Sequence, residues 1–120
     1  MMPRIATIIA IFVEITFQNT QAMNEFQQLI QGSKPVLVDF FATWCGPCKM
    51  QAPILEDVKS QVGDKATIIK IDVDRSGELA MSYGIQSVPT LMLFRNGEVL
   101  WRASGVQRAA DLVALITQFA

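Results

Sequence analysis

The chain's pattern predicts an α/β domain, a mixed sheet covered by helices on both faces. Two nearly continuous apolar runs, Val36 to Phe41 and Thr67 to Val73, read as strands buried on both faces. Segments with apolar residues at helical spacing lie around and between them, and Arg95-Asn96-Gly97 joins two further strands as a hairpin. Strands alternating with helices and then a hairpin require a sheet with both parallel and antiparallel pairs.

Taken in order, Glu14 to Phe17 is the expected first strand. Asn19 or Thr20 can cap the helix that follows, whose apolar residues Met23, Phe26, Leu29 and Ile30 fall at helical spacing before Gly32 ends it. After the Val36 to Phe41 strand, a helix starting at Cys45 carries Met50, Ile54, Val58 and Val62 as its expected buried stripe. Pro53 predicts a kink in it, and Gly63 a stop. The Thr67 to Val73 strand leads into a short helical stretch around Glu78 to Ser82, closed by Gly84. Thr90 to Phe94 and Glu98 to Ala103 form the hairpin, where Asn-Gly supplies the positive φ angles of a tight turn. A last helix presents Leu112, Leu115, Ile116 and Phe119 on one face.

A chain of 120 residues, 51% hydrophobic, has the size of one domain with a real core. Ten basic and eleven acidic residues, dispersed without a basic run, argue against a nucleic-acid partner. With no histidine and no second cysteine pair, a four-ligand zinc site is not expected, nor is any other metal or cofactor. Residues 1–13 stand apart from the domain expected over 14–120. Their apolar run, Ile5 to Val13, is too short to span a bilayer, so no stable membrane insertion is expected. It has the length of a weak secretory signal but lacks a clean cleavage site, and an extended first strand or an early start codon is the preferred reading.

The chemistry concentrates in Trp44-Cys45-Gly46-Pro47-Cys48-Lys49. A helix start leaves backbone N–H groups unpartnered and carries positive dipole, which favours a thiolate at Cys45. Cys48, one turn on, can close a disulfide with it and reopen it. A disulfide closing so short a loop would stabilise little, so a redox role outweighs a structural one. Pro47 suits the first turn, where a missing N–H costs nothing.

These residues, the preceding Val38-Asp39-Phe40, the later Val88-Pro89-Thr90 and the order of elements together resemble the thioredoxin family from about residue 14 to the C-terminus. The resemblance implies the thioredoxin fold, a central five-stranded mixed sheet flanked by four helices. It also implies a thiol–disulfide oxidoreductase in which Cys45 is the attacking thiolate and Cys48 the resolving thiol. Trp44, Gly46 and Pro47 would form the rim around them. Exposure should order the pair, with Cys45 facing solvent and Cys48 reaching only its neighbour.

Asp39 carries an argument of its own, because a carboxylate within Pro35 to Phe41 is costly unless neutral, partnered or useful. The matching family residue is the buried Asp thought to take the resolving thiol's proton, and Lys70 matches the lysine near it. The family also implies a cis bond before Pro89, substrate pairing by the backbone of Val88, and a second apolar wall at Gly105 and Val106. Phe41 stands where many members have a second Trp, and Thr43 where others are acidic; neither change removes a catalytic group.

The function so implied is general protein disulfide reduction by a monomer that is recharged by a flavin-containing, NADPH-dependent thioredoxin reductase in the cytoplasm. Gly46-Pro47 fits that direction, since it adds no side-chain donor or positive charge to overstabilise the thiolate. The alternatives are an exported or periplasmic reductant fed by a membrane electron donor, and a binding module that does not need its thiols.

Overall fold

The computed structural model describes residues 23–120, and β-branched, leucine and phenylalanine side chains fill the middle of its sheet. Residues 23–30 form α1. There follow β1 (Val36–Phe41), α2 (Gly46–Val62), a 3-10 turn at Gly63–Lys65, β2 (Thr67–Asp72), α3 (Gly77–Ser82), β3 (Thr90–Arg95), β4 (Glu98–Ser104) and α4 (Ala109–Phe119). The sheet order is β2-β1-β3-β4, with β1 parallel to β2 and the other pairs antiparallel. The described sheet therefore has four strands rather than five. The expected strand at Glu14 to Phe17, and the helix cap at Asn19 or Thr20, lie outside the described residues.

Successive side chains of a strand point to opposite faces, and β1 buries both sets. Leu37, with Leu91 and Leu93 of β3, packs under Leu55, Val58 and Val62 of α2 and Leu112 and Ile116 of α4. Val36, Val38 and Phe40, with Met92 and Phe94, pack on the other face against Phe26 and Ile30 of α1 and Leu79 of α3. Helices thus cover both faces, as the pattern requires. By the same alternation Asp39 lies on the face that α2 and α4 cover.

Two expectations about burial need correction. β2 is half-buried rather than buried, because it is the outer strand of the described sheet and has a described neighbour on one side only. The buried stripe of α2 is Cys48, Gln51, Leu55, Val58 and Val62, whereas Met50 is 64% exposed. A step of four residues overshoots a full helical turn by about 40°, so three such steps carry Met50 off the face that holds Val62. The helix continues unbroken through Pro53, which lies on its exposed side.

The hairpin is tighter than expected: Arg95 pairs with Glu98, leaving Asn96-Gly97 as a two-residue turn with φ values of 53° and 78°. Its two N–H groups donate to carbonyls at the end of α1, Asn96 to Gly32 at 2.9 Å and Gly97 to Ile30 at 2.8 Å. A Cβ on Gly97 would come within 2.8 Å of the Gln31 side chain, so close approach as well as φ calls for glycine here. Among the described residues no helix is long and apolar enough to cross a membrane.

Candidate active site

The parallel β1–α2–β2 unit delivers its functional residues where β1 ends and α2 begins. Cys45 is the N-cap of α2, with extended backbone, and its Sγ accepts the Cys48 N–H at 3.1 Å. Gly46 and Pro47 occupy the exposed first turn, and Cys45 and Cys48 form a disulfide with a Cα–Cα distance of 5.3 Å. The expected contrast in exposure is absent, since both cysteines are 4% exposed. Ala42, Phe41, Val73 and Val88 pack around the closed pair. What distinguishes Cys45 is its place at the helix start, where its sulfur meets a backbone N–H that would otherwise lack a partner.

The other predicted residues surround this pair. The Val88–Pro89 bond is cis, and the Val88 carbonyl oxygen lies 3.5 Å from Cys45 Sγ. Thr90 Oγ1 donates to the Ser87 carbonyl at 2.7 Å, closing the loop around that bond. Gly105 donates its N–H to the Pro89 carbonyl at 2.9 Å, which sets exposed Gly105 and half-buried Val106 beside it. Trp44 is 70% exposed, and its indole N–H donates to Asp74 Oδ2 at 2.9 Å. A shallow hollow of about 140 Å³ opens between Trp44, Val73, Ile85, Gln86, Ser87 and Val88.

Asp39 is 0% exposed, and neither carboxylate oxygen has a hydrogen-bond partner among the described residues. Burial pushes its pKa from 3.8 up to about 6, with the positive charge of Lys70 pulling the other way. Lys70 is Asp39's register partner on β2, is exposed, and holds its ammonium 4.6 Å from the centre of the Phe41 ring.

Two polar residues of this region escaped the sequence reading. Asp74 anchors the Trp44 ring; nothing in the linear order ties it to a tryptophan thirty positions away. Gln51 is 0% exposed, and its side-chain amide pairs with the backbone of Gln107. The usable signal was a glutamine on the helical face that also carries Cys48, Leu55, Val58 and Val62, a stripe hidden by the strict four-residue spacing.

The family model described as Thioredoxin matches residues 17–118. A thioredoxin-like protein of Synechocystis is 50% identical over 95 residues, covering 78% of this chain and 90% of that protein. A thioredoxin of Alicyclobacillus acidocaldarius is 49% identical over 89 residues, 74% of this chain and 85% of that one. The crystal structure of Malassezia sympodialis thioredoxin superimposes with a TM-score of 0.73 at 40% identity, covering 80% of this chain and 84% of that one. With a cysteine pair closed across the first turn of α2 and half or more of its length matched, this chain belongs to the thioredoxin family of thiol–disulfide oxidoreductases.

Proposed function

We propose that this chain is a general protein disulfide reductase, working through Cys45 and Cys48 and recharged by a flavin-containing, NADPH-dependent thioredoxin reductase. The observation that carries the proposal is the Cys48 N–H donating to Cys45 Sγ at the head of α2, because the same bond favours a thiolate once the pair is reduced. The Cys45 thiolate attacks one sulfur of a substrate disulfide, forming a mixed disulfide and expelling the other sulfur as a thiolate. Cys48 gives up its proton and attacks Cys45 Sγ, releasing the second substrate thiolate. Two electrons pass from the dithiol to the substrate, and the Cys45–Cys48 disulfide is left.

Asp39 is the proposed acceptor of the Cys48 proton: a carboxylate whose pKa stands near 6 is a better base than an ordinary one. Lys70 keeps that shift in bounds by its charge. Substrate docks as an extended segment against the Val88 backbone, between the rim of Trp44, Gly46 and Pro47 and the wall of Pro89, Gly105 and Val106, with a side chain in the hollow beside Trp44. The protein works as a monomer in the cytoplasm, residues 14–120 forming its domain and 1–13 an extension. Sequencing the mature N-terminus tests the last point, since cleavage within the first thirty residues would indicate export instead.

The decisive experiment is partner trapping with Cys48→Ser, which should accumulate mixed disulfides with many proteins through Cys45. Absence of any adduct, or full biological complementation by a protein lacking both cysteines, would overturn the proposal.

A further inference from the structure

A primary amide buried in an apolar stripe is costly unless both of its ends are paired. Gln51 meets that cost with one residue. Its Oε1 accepts the Gln107 N–H at 2.7 Å, and its Nε2 donates to the Gln107 carbonyl at 3.1 Å. Two bonds to the same backbone unit fix both the position and the rotation of that segment against α2, as a strand pair would.

The linkage continues beyond Gln107. The Gln107 side chain donates from Nε2 to the Gly105 carbonyl at 3.1 Å and the Ser104 carbonyl at 3.3 Å, and the Gly105 N–H reaches the Pro89 carbonyl at 2.9 Å. An unbroken series of hydrogen bonds therefore runs from α2, one turn past Cys48, to the loop containing Gly105 and Val106 and on to Pro89. No apolar residue at position 51 could supply its first link.

From this arrangement we infer that Gln51 is a positioning residue for protein substrates, holding the Gly105–Val106 wall at a fixed place relative to Cys45. The inference rests on the proposed reading of that wall as a docking surface. A small disulfide reaches Cys45 without the wall, whereas a polypeptide must lie along it. Loss of Gln51 should thus raise KM for a protein disulfide and leave chemistry at the sulfurs unaltered.

The test uses the full chain with Gln51→Leu and, as a second substitution of similar volume, Gln51→Met, with insulin as protein disulfide and 5,5′-dithiobis(2-nitrobenzoate) as small disulfide. Amide hydrogen exchange at Gln107 should accelerate in both variants. KM for insulin should rise about fivefold, the scale of one net hydrogen bond, with kcat and the small-disulfide rate within about twofold of wild type. Faster exchange with an unchanged insulin KM, or an equal loss toward both substrates, would overturn the inference. So would an unprotected Gln107 amide in the wild-type protein, a measurement that needs no variant. Val106→Asp separates the two levels of argument. If it raises the insulin KM and the Gln51 variants do not, positioning by Gln51 is wrong and the docking surface stands; if it also has no effect, the docking reading falls too.

Discussion

Replacing Asp39 by Asn isolates the energetic cost of a buried charge, and the cost can be worked from the site. Asp39 is fully buried without a hydrogen-bond partner among the described residues, and its pKa moves from 3.8 to about 6 on folding. Between those two values the unfolded chain has already released a proton that the native state still holds. Native stability therefore falls as pH rises through that window, and levels off above it. A rise of roughly two units corresponds to about 3 kcal/mol of destabilisation once the carboxylate is ionised in both states. Asn cannot ionise, so the variant should lack this slope. Its amide inherits a site without partners, which adds an offset of about 1–3 kcal/mol that does not depend on pH. The assay is urea unfolding of the disulfide-bonded protein from pH 4 to pH 8, with the cysteines unable to titrate and all other groups common to both proteins. The stability difference should grow in favour of Asn by about 2.5 kcal/mol across the range, the first part of the full effect having been lost below pH 4, a relative midpoint shift of about 1–2.5 M urea. Mixed-disulfide release should slow in the same variant. Parallel stability curves for the two proteins would refute the reasoning, because they would mean that Asp39 ionises as freely in the folded state as in the unfolded one.

In the reduced protein near neutral pH, iodoacetamide should modify Cys45 much faster than Cys48, and peptide mapping that finds equal rates would remove the helix-start argument. Gly97→Ala should cost about 1–2 kcal/mol in urea unfolding, because its φ of 78° is strained for a residue with a Cβ. Asp74→Ala, made with Trp101→Phe so that one indole remains, should shift Trp44 fluorescence while changing stability by no more than about 1.5 kcal/mol, as the lost bond is exposed.

The central part of the fold was legible because its residues have little choice. An unbroken apolar run such as Val36–Phe41 can be buried only with cover on both faces, and Asn96-Gly97 between strands specifies its own turn. The cysteine pair was equally legible, since N-cap position and one-turn spacing are local properties. Non-local packing was not. Whether Met50 or Gln51 faces the sheet depends on a small angular drift along α2, and Gln51 reads as a surface residue until Gln107, far along the chain, is placed beside it. The exposure of Cys45 failed for the same reason: Val88 and Val73, which crowd it, come from two other parts of the chain.

The bonds from the hairpin turn to the end of α1 bear on how the chain acquires its structure during synthesis. The carbonyls of Ile30 and Gly32 receive their N–H partners from Gly97 and Asn96, which emerge from the ribosome only after the three strands β1, β2 and β3. Among the described elements helix α1 is made first but completed late, and until then its C-terminal end must be served by water. A nascent chain halted before residue 94 would leave that end uncapped and the apolar side of α1 without Phe94, so this part of the described domain locks only when most of it has been made.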